Sequence, residues 1–185
     1  MFVAAAVRAA GASAGGRVEV TGVGYRHLST VSAVVRGAGC DVQSGAEAIR
    51  LGRDGPLQGG RPVRTAPYPG FPTDAQAPLM AALTRGKGCT VFVENIFESR
   101  YRHVDELSRL GADIRVEGRV AVVYGVPRLH GAQVRATDLR GGAALAVAAL
   151  GAEGRSELTG VPHTDRGSQS LEGDLRRLGA AIPRT

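Results

Sequence analysis

Two aspartates stand where the chain is predicted to enter long helices. Asp74 ends a Phe-Pro-Thr-Asp turn at 71–74, and Asp138 follows Thr137 in the same Thr-Asp pair. A carboxylate fixed at such a turn could take a proton from a substrate hydroxyl as a general base. Because Thr and Asp are also common N-cap residues, both aspartates could instead only cap their helices. Spacing alone favours the capping role.

Three arginines are candidates for binding an anion. Arg100, Arg140 and Arg166 each carry a flat, permanently charged guanidinium that matches phosphate or carboxylate. Arg140 is followed by two glycines in the predicted first turn of a helix, where free N–H groups and the helix dipole favour an anion. A single arginine is more often a solvated surface residue, so this pattern alone assigns none of them a function.

The cysteines and histidines do not form a metal-binding pattern. Cys40 and Cys89 lack metal-ligand spacing, and His103 and His163 are far apart with no carboxylate set between them. We therefore predict no metal site and no cofactor. Both cysteines are interpreted as small buried apolar residues in a reducing cytoplasm, and His103 as a hydrogen-bonding group at a helix start.

Composition indicates a globular protein with a phosphorylated partner. Apolar residues make up 43% of the chain and charged residues 22%, whereas aromatic residues make up only 4%. The net charge of +6 suits a polyanion, but the arginines are scattered and no aromatic residues interleave with them, which argues against nucleic acid. No apolar stretch approaches the ~20 residues of a membrane span, so the prediction is a cytoplasmic protein without membrane contact.

An internal repeat organises the chain. The segment at 16–23, GRVEVTGV, returns in related form at 88–95 and again at 154–161, with a spacing of about 72 residues and then slightly less. A second Gly-x-x-apolar element follows each copy, at 39–42, 111–114 and 179–182. We therefore divide a single domain, 1–185, into units of about 1–60, 61–131 and 132–185.

Each unit is predicted to contain strand, helix, strand, helix, strand and strand. The leading strands fall at 61–65 and 133–136, and the long helices at 71–85 and 138–152. A short amphipathic helix, ended by a glycine, and a strand pair follow in each unit. This alternation predicts an α/β fold. In the first unit the leading strand and its helix cap would fall before the start of the chain, so that unit is predicted to be truncated.

Four segments resemble the UDP-N-acetylglucosamine 1-carboxyvinyltransferase family in order and spacing. They are RTAPYPGFPTD at 64–74, ENIFESRYRHV at 94–104, GAQVRATDLR at 131–140 and HTDRG at 163–167. The similarity extends through essentially the whole chain but matches only the C-terminal half of the family. The chain departs from the family at Ser99, where Asn is usual, and at Gly141 and Gly142, where Ala or Ser is usual.

The resemblance implies a fold and a set of site residues. The fold would be an inside-out α/β barrel built from the three repeated units, with the first unit truncated. Asp74 would be the base for the sugar 3′-hydroxyl, and Arg166 would contact phosphoenolpyruvate. Ile96 would contact the uridine nucleotide through its backbone. Arg100 and Arg140 would line the same cleft, and Asp138 would lie beside it.

The resemblance also implies a reaction and its missing part. The family transfers enolpyruvate from phosphoenolpyruvate to UDP-N-acetylglucosamine and releases phosphate, the first committed step of peptidoglycan synthesis. The reactive cysteine loop of the family lies in the absent N-terminal half, so we predict that this chain needs that half as a partner and is inactive alone. The alternatives are a non-catalytic remnant or sugar-nucleotide-binding module, and a shikimate-pathway enolpyruvyl transferase.

Overall fold

The computed structural model describes residues 16–53, 55, 57–160, 173, 175–176 and 181–182. Within them, helices and strands alternate along the chain. The helices are α1 (Ser29–Gly37), α2 (Thr73–Leu83), α3 (Val104–Arg109) and α4 (Leu139–Leu150), with a 3₁₀ turn at Tyr25–Leu28. The strands are β1 (Gly16–Thr21), β2 (Asp41–Ser44), β3 (Ala48–Arg53), β4 (Val63–Arg64), β5 (Cys89–Val93), β6 (Asp113–Glu117), β7 (Val120–Tyr124), β8 (Leu129–His130), β9 (Gln133–Arg135), β10 (Ala152–Glu153) and β11 (Glu157–Thr159).

Two sheets share one strand order. The first runs β1-β3-β2 and the second β4-β5-β7-β6, so the order β5-β7-β6 reproduces that of the first sheet. Within these matching strands all pairings are antiparallel, whereas β4 joins β5 in parallel. The predicted strand pair at 113–116 and 120–124 is therefore present as β6 and β7, which form a hairpin.

Short parallel pairings connect the later part of the chain. β9 pairs with β11 and β8 with β10, both in parallel. The second unit has the same two contacts, as the β4–β5 pair and as a parallel bridge between Gln58 and Lys87. The chain is thus an α/β protein whose sheets contain both parallel and antiparallel pairs.

The long helices α2 and α4 pack against each other in the core. Both are apolar on nearly every side, as expected of helices surrounded by protein rather than water. Small residues dominate their buried surfaces, including Ala77, Ala81, Ala144 and Ala148, each no more than 2% exposed. Small side chains let the two helix axes come close, so α2 and α4 hold their first turns at a fixed separation.

Among the described residues the predicted elements are present, but several bounds differ. The helix predicted at 71–85 runs from Thr73 to Leu83, and that predicted at 138–152 runs from Leu139 to Leu150. The glycines predicted to end the short helices are confirmed at Gly39 and Gly111, whose φ angles of +91° and +93° lie in the left-handed region that glycine tolerates. The start of the first unit and most of the third predicted short helix fall outside the described residues.

Candidate active site

Asp74 lies in the first turn of α2 but does not cap it. Pro72 is the N-cap, with ψ at 132°, and no side chain accepts a hydrogen bond from the first backbone N–H groups of α2. The alternative that Asp74 only caps its helix is therefore wrong. Its carboxylate is still favoured by the positive end of the helix dipole.

Two arginines converge on the Asp74 carboxylate. Arg140 Nε donates to Asp74 Oδ1 at 2.7 Å, and Arg100 Nη2 donates to the same oxygen at 3.1 Å. The three side chains come from α2, from the loop before α3 and from the first turn of α4. They are partly exposed, at 36% for Asp74, 19% for Arg100 and 35% for Arg140. Three predicted site residues thus meet at one carboxylate that solvent can reach.

Asp138 is the N-cap of α4. Its Oδ1 accepts hydrogen bonds from the backbone N–H groups of Arg140 and Gly141, both at 2.9 Å. The capping role favoured by spacing is confirmed here. Because Asp138 occupies these two N–H groups, the prediction that they are free to bind an anion is wrong. The cationic group at this helix start is the Arg140 guanidinium, which binds Asp74.

The turn that carries Ile96 is fixed by a buried carboxylate. Glu94 is 1% exposed, and its Oε1 accepts the backbone N–H groups of Ile96 at 2.9 Å and Phe97 at 3.1 Å. Its Oε2 accepts a hydrogen bond from Thr73 Oγ1 at 2.9 Å. Glu94 is not among the predicted site residues, although it opens the segment at 94–104.

Arg100 is held by the residues before it. Its guanidinium lies 5.1 Å from the centre of the Phe97 ring, within cation–π range. Ser99 has a φ of 51°, the left-handed conformation in which Asn is more common than Ser. This backbone conformation suits the Asn that the resemblance implies at that position.

His103, the residue before α3, is 2% exposed. The pKa of His103 is lowered to about 4, mainly by burial; the Asp138 carboxylate raises it and the Arg100 cation lowers it by smaller amounts. The side chain does not cap α3, but it hydrogen-bonds the backbone of Arg100 just before that helix, so His103 is a hydrogen-bonding group at a helix start, as predicted. The Cβ of His103 would lie 3.2 Å from a methyl group added at Gly141, which leaves little room for a larger residue there.

Asp74 and Ile96 open into the same cleft of about 320 Å³. The cleft is also lined by Arg26, His27 and Thr30 and by the turn at 66–70. Its volume is within the range of small-molecule sites. A depression of about 390 Å³ beside β8 contains none of the predicted site residues. Arg166 lies outside the described residues.

Other predictions concern metals, membranes and cysteines. No group of three or more His, Cys, Asp or Glu side chains suited to a metal ion occurs among the described residues. In the same part of the chain, no helix is both long and apolar enough to cross a membrane. Cys40 is buried, as predicted, whereas Cys89 is exposed, so that prediction is wrong for Cys89.

Residues 1–175 match the family model described as EPSP synthase (3-phosphoshikimate 1-carboxyvinyltransferase). The chain belongs to this family of enolpyruvyl transferases. The match covers all of the described site residues, so the convergence of Arg100 and Arg140 on Asp74 is a feature of an enolpyruvyl transferase chain.

Relatives within the enolpyruvyl transferases carry a more specific name. The chain is 51% identical over 173 residues to a UDP-N-acetylglucosamine 1-carboxyvinyltransferase of Desulfofundulus thermocisternus, covering 94% of this chain and 71% of the relative. It is 46% identical to the enzyme of that name from Clostridium botulinum, of which it covers 41%. The chain spans only 41–43% of the length of the Clostridium botulinum enzyme and of several further relatives with this name.

Solved structures agree on the enolpyruvyl transferase fold. The enolpyruvyl transferase NikO from Streptomyces tendae superposes with a TM-score of 0.86 at 28% identity, over 98% of this chain and 44% of that protein. EPSP synthase from Acinetobacter baumannii superposes with a TM-score of 0.75 at 18% identity, over 95% of this chain and 44% of that one. The second likeness concerns the fold alone.

Proposed function

We propose that this chain supplies one side of an active site that transfers enolpyruvate from phosphoenolpyruvate to the 3′-hydroxyl of UDP-N-acetylglucosamine. The observation that carries the proposal is the Asp74 carboxylate, held by Arg100 and Arg140 at the edge of a cleft that Ile96 also lines. The names of relatives at 45–51% identity support the choice of substrates. The product would enter peptidoglycan synthesis, in the cytoplasm.

The chemistry assigned to Asp74 is general base catalysis. In the proposed reaction the sugar hydroxyl oxygen bonds to C2 of phosphoenolpyruvate while C3 gains a proton, and Asp74 takes the hydroxyl proton. Loss of phosphate from C2 and of a proton from C3 then restores the double bond. Both guanidinium contacts fall on Oδ1, so Oδ2 carries neither of them and is the oxygen we assign to the proton.

The remaining site residues receive proposed binding roles. Ile96 would bind the uridine nucleotide through its backbone, and Arg166 would bind phosphoenolpyruvate. Arg100, Arg140 and Asp138 would complete the substrate-binding surface, the arginines by orienting Asp74 and neutralising charge and Asp138 by fixing the first turn of α4. No metal and no cofactor take part in this proposal.

The architecture proposed for the chain is an inside-out barrel of three units, about 1–60, 61–131 and 132–185, in a single domain. The shared strand order of the first two sheets supports the repeat. The parallel contacts that recur in the second and third units support it as well. Because the chain covers 41–43% of several relatives, we propose that an N-terminal half completes the site and that the chain alone does not turn over.

The experiment adds the N-terminal half of a relative to this chain in trans and measures phosphate release from phosphoenolpyruvate with UDP-N-acetylglucosamine. We expect activity only from the mixture. Asp74→Asn should slow release by roughly 10²–10⁴-fold because the base is lost. Asp105→Asn, in the exposed first turn of α3, is the matched control and should leave the rate unchanged. A fully active Asp74→Asn mixture would contradict the role of Asp74.

Assays of the same mixture of this chain and an N-terminal half distinguish two alternative functions. A shikimate-pathway enolpyruvyl transferase is favoured by the name of the matched family, and it would use 3-phosphoshikimate in place of the sugar nucleotide. A sugar-nucleotide-binding module is favoured by the partial coverage of the relatives, and it would bind UDP-N-acetylglucosamine in calorimetry without any release of phosphate.

A further inference from the structure

We propose that Glu94 is a positioning residue that sets the geometry between the Asp74 carboxylate and the Ile96 backbone. The assignment to a reaction rests on the proposed function. The structural part of the inference does not, because it concerns how one buried carboxylate joins two elements of the site.

Three donors converge on Glu94. The N–H groups of Ile96 and Phe97 bind Oε1 at 2.9 and 3.1 Å, and the Thr73 hydroxyl binds Oε2 at 2.9 Å. The residue is 1% exposed, so these bonds replace the water that a carboxylate would otherwise bind. Both oxygens are used, one for the turn after β5 and one for the start of α2. Glu94 therefore fixes these two elements relative to each other.

The contacts form a closed ring around the site. Glu94 binds the backbone of Phe97, the Phe97 ring lies 5.1 Å below the Arg100 guanidinium, and Arg100 binds Asp74 at 3.1 Å. Asp74 follows Thr73 in the chain, and the Thr73 hydroxyl returns to Glu94 at 2.9 Å. A change at Glu94 consequently reaches the Asp74 carboxylate by two routes, through Thr73 and through Arg100.

The turn is anchored on its other side as well. The backbone N–H of Asn95 binds Thr65 Oγ1 at 2.8 Å, and the Asn95 side chain binds the Thr65 carbonyl at 3.1 Å. The backbone N–H of Glu94 binds the Arg119 carbonyl at 2.9 Å. The main chain at 94–95 is thus held by Thr65, directly after β4, and by the β6–β7 turn, so the backbone that carries Glu94 is fixed.

Two variants of Thr73, one without and one with a hydroxyl group, test the link from Glu94 through Thr73 to Asp74. Thr73→Val removes the hydroxyl donor but keeps the shape of the side chain, whereas Thr73→Ser retains the donor. In ¹⁵N spectra of this chain, Thr73→Val should shift the Arg140 Nε–H signal, which reports the 2.7 Å bond to Asp74, and Thr73→Ser should not. No change in Thr73→Val would overturn the link.

A second pair tests Glu94 itself. Glu94→Gln keeps an acceptor for Ile96 and Phe97 and can donate its amide to the Thr73 oxygen, so it should behave almost as the natural chain. Glu94→Ala should shift the amide signals of Ile96 and Phe97. If Glu94→Ala does not fold, Thr73→Val still decides the proposal. Glu106→Ala is the control, since Glu106 also accepts a backbone N–H, that of Arg135 at 2.9 Å, away from this ring.

Kinetics in the mixture with an N-terminal half distinguish positioning from general stability. Thr73→Val should lower kcat about fivefold to tenfold and raise KM for the sugar nucleotide, with KM for phosphoenolpyruvate unchanged. Thr73→Ser should restore kcat, and Glu106→Ala should change none of these constants. Equal losses in Glu106→Ala and Thr73→Val would overturn the positioning role. An inactive natural mixture would refute the proposed function, while the spectra still test Glu94.

Discussion

Asp74 and Asp138 follow threonine in the same way and nevertheless have different surroundings. Asp138 takes the N-cap position of α4 and binds two backbone N–H groups. In α2 the cap position belongs to Pro72, which places Asp74 inside the helix. A side chain at that point projects from the first turn instead of folding back over it, and so it meets Arg100 and Arg140. Asp74 lies two positions after its N-cap residue, and this shift of two residues separates a helix cap from a carboxylate bound by two arginines.

The capping role of Asp138 predicts a difference between two substitutions. Asp138→Ala should lower the free energy of unfolding by about 1 kcal/mol, because the N–H groups of Arg140 and Gly141 lose their acceptor. Asp138→Asn should lower the free energy of unfolding by only a few tenths of a kcal/mol, since Asn caps helices about as well as Asp. Urea unfolding measures both. Equal losses in the two variants would mean that the charge of Asp138, not its capping, stabilises the fold.

Burial of His103 predicts a pH-dependent stability. The pKa of His103 is about 4 in the folded chain and about 6.5 when unfolded, so the unfolded state binds the extra proton in this interval. The contribution of neutral, buried His103 to the free energy of unfolding is present above pH 6.5 and is lost as the pH falls towards 4. Between pH 6.5 and 5 the free energy of unfolding should drop by roughly 2 kcal/mol on this account.

The measurement for His103 is a pair of urea titrations at these two pH values. The change should be smaller in His103→Gln, which cannot gain a proton, by about the amount assigned to His103. An identical pH slope in both proteins would show that His103 does not cause it. The comparison between the two proteins cancels the titration of the carboxylates.

At the scale of elements, the loop between β5 and α3 carries the strained position of the site. Ser99 has a φ of 51°, which costs about 1 kcal/mol for a residue with a Cβ. Arg100 follows directly, so this conformation aims its guanidinium at Asp74. The loop is held at one end by Glu94 and at the other by the start of α3.

Relief of that strain predicts a stabilising substitution. Ser99→Asn should raise the free energy of unfolding by about 0.5 kcal/mol, and Ser99→Gly by up to about 1 kcal/mol, because these residues adopt the left-handed region more readily. Thermal unfolding provides the measurement. Ser108→Asn, on the exposed face of α3, is the control and should give no gain, since Ser and Asn have similar helix propensities. A loss of stability in Ser99→Asn would contradict the explanation.

At the scale of the whole molecule, the site exists only where distant units meet. Arg140 binds Asp74 across 66 residues of sequence, and the cleft beside them has Arg26 and His27 from the first unit on its wall. The packing of α2 against α4 brings these parts together. A loss of core packing would therefore disturb the site even where no site residue is changed.

Sequence alone determined the elements and the identity of most candidate residues. Ala- and Leu-rich runs that follow a Thr-Asp pair located α2 and α4, and alternating apolar residues located the β6–β7 hairpin. The glycines at 39 and 111 marked helix ends because glycine tolerates a positive φ. The four quoted segments carried Asp74, Arg100, Asp138 and Arg140 into the candidate set.

Only the tertiary structure decided what these residues do to one another. Whether Asp74 caps α2 or binds arginines depended on the position of the helix start, which Pro72 sets. It also depended on which side chains from other elements lie beside it. Glu94 was not predicted as a site residue because a carboxylate in a short turn has no periodic signal. Its burial comes from segments that are distant in the sequence. Local propensity fixes helices and strands, whereas hydrogen bonds and ion pairs between them depend on packing that no local pattern records.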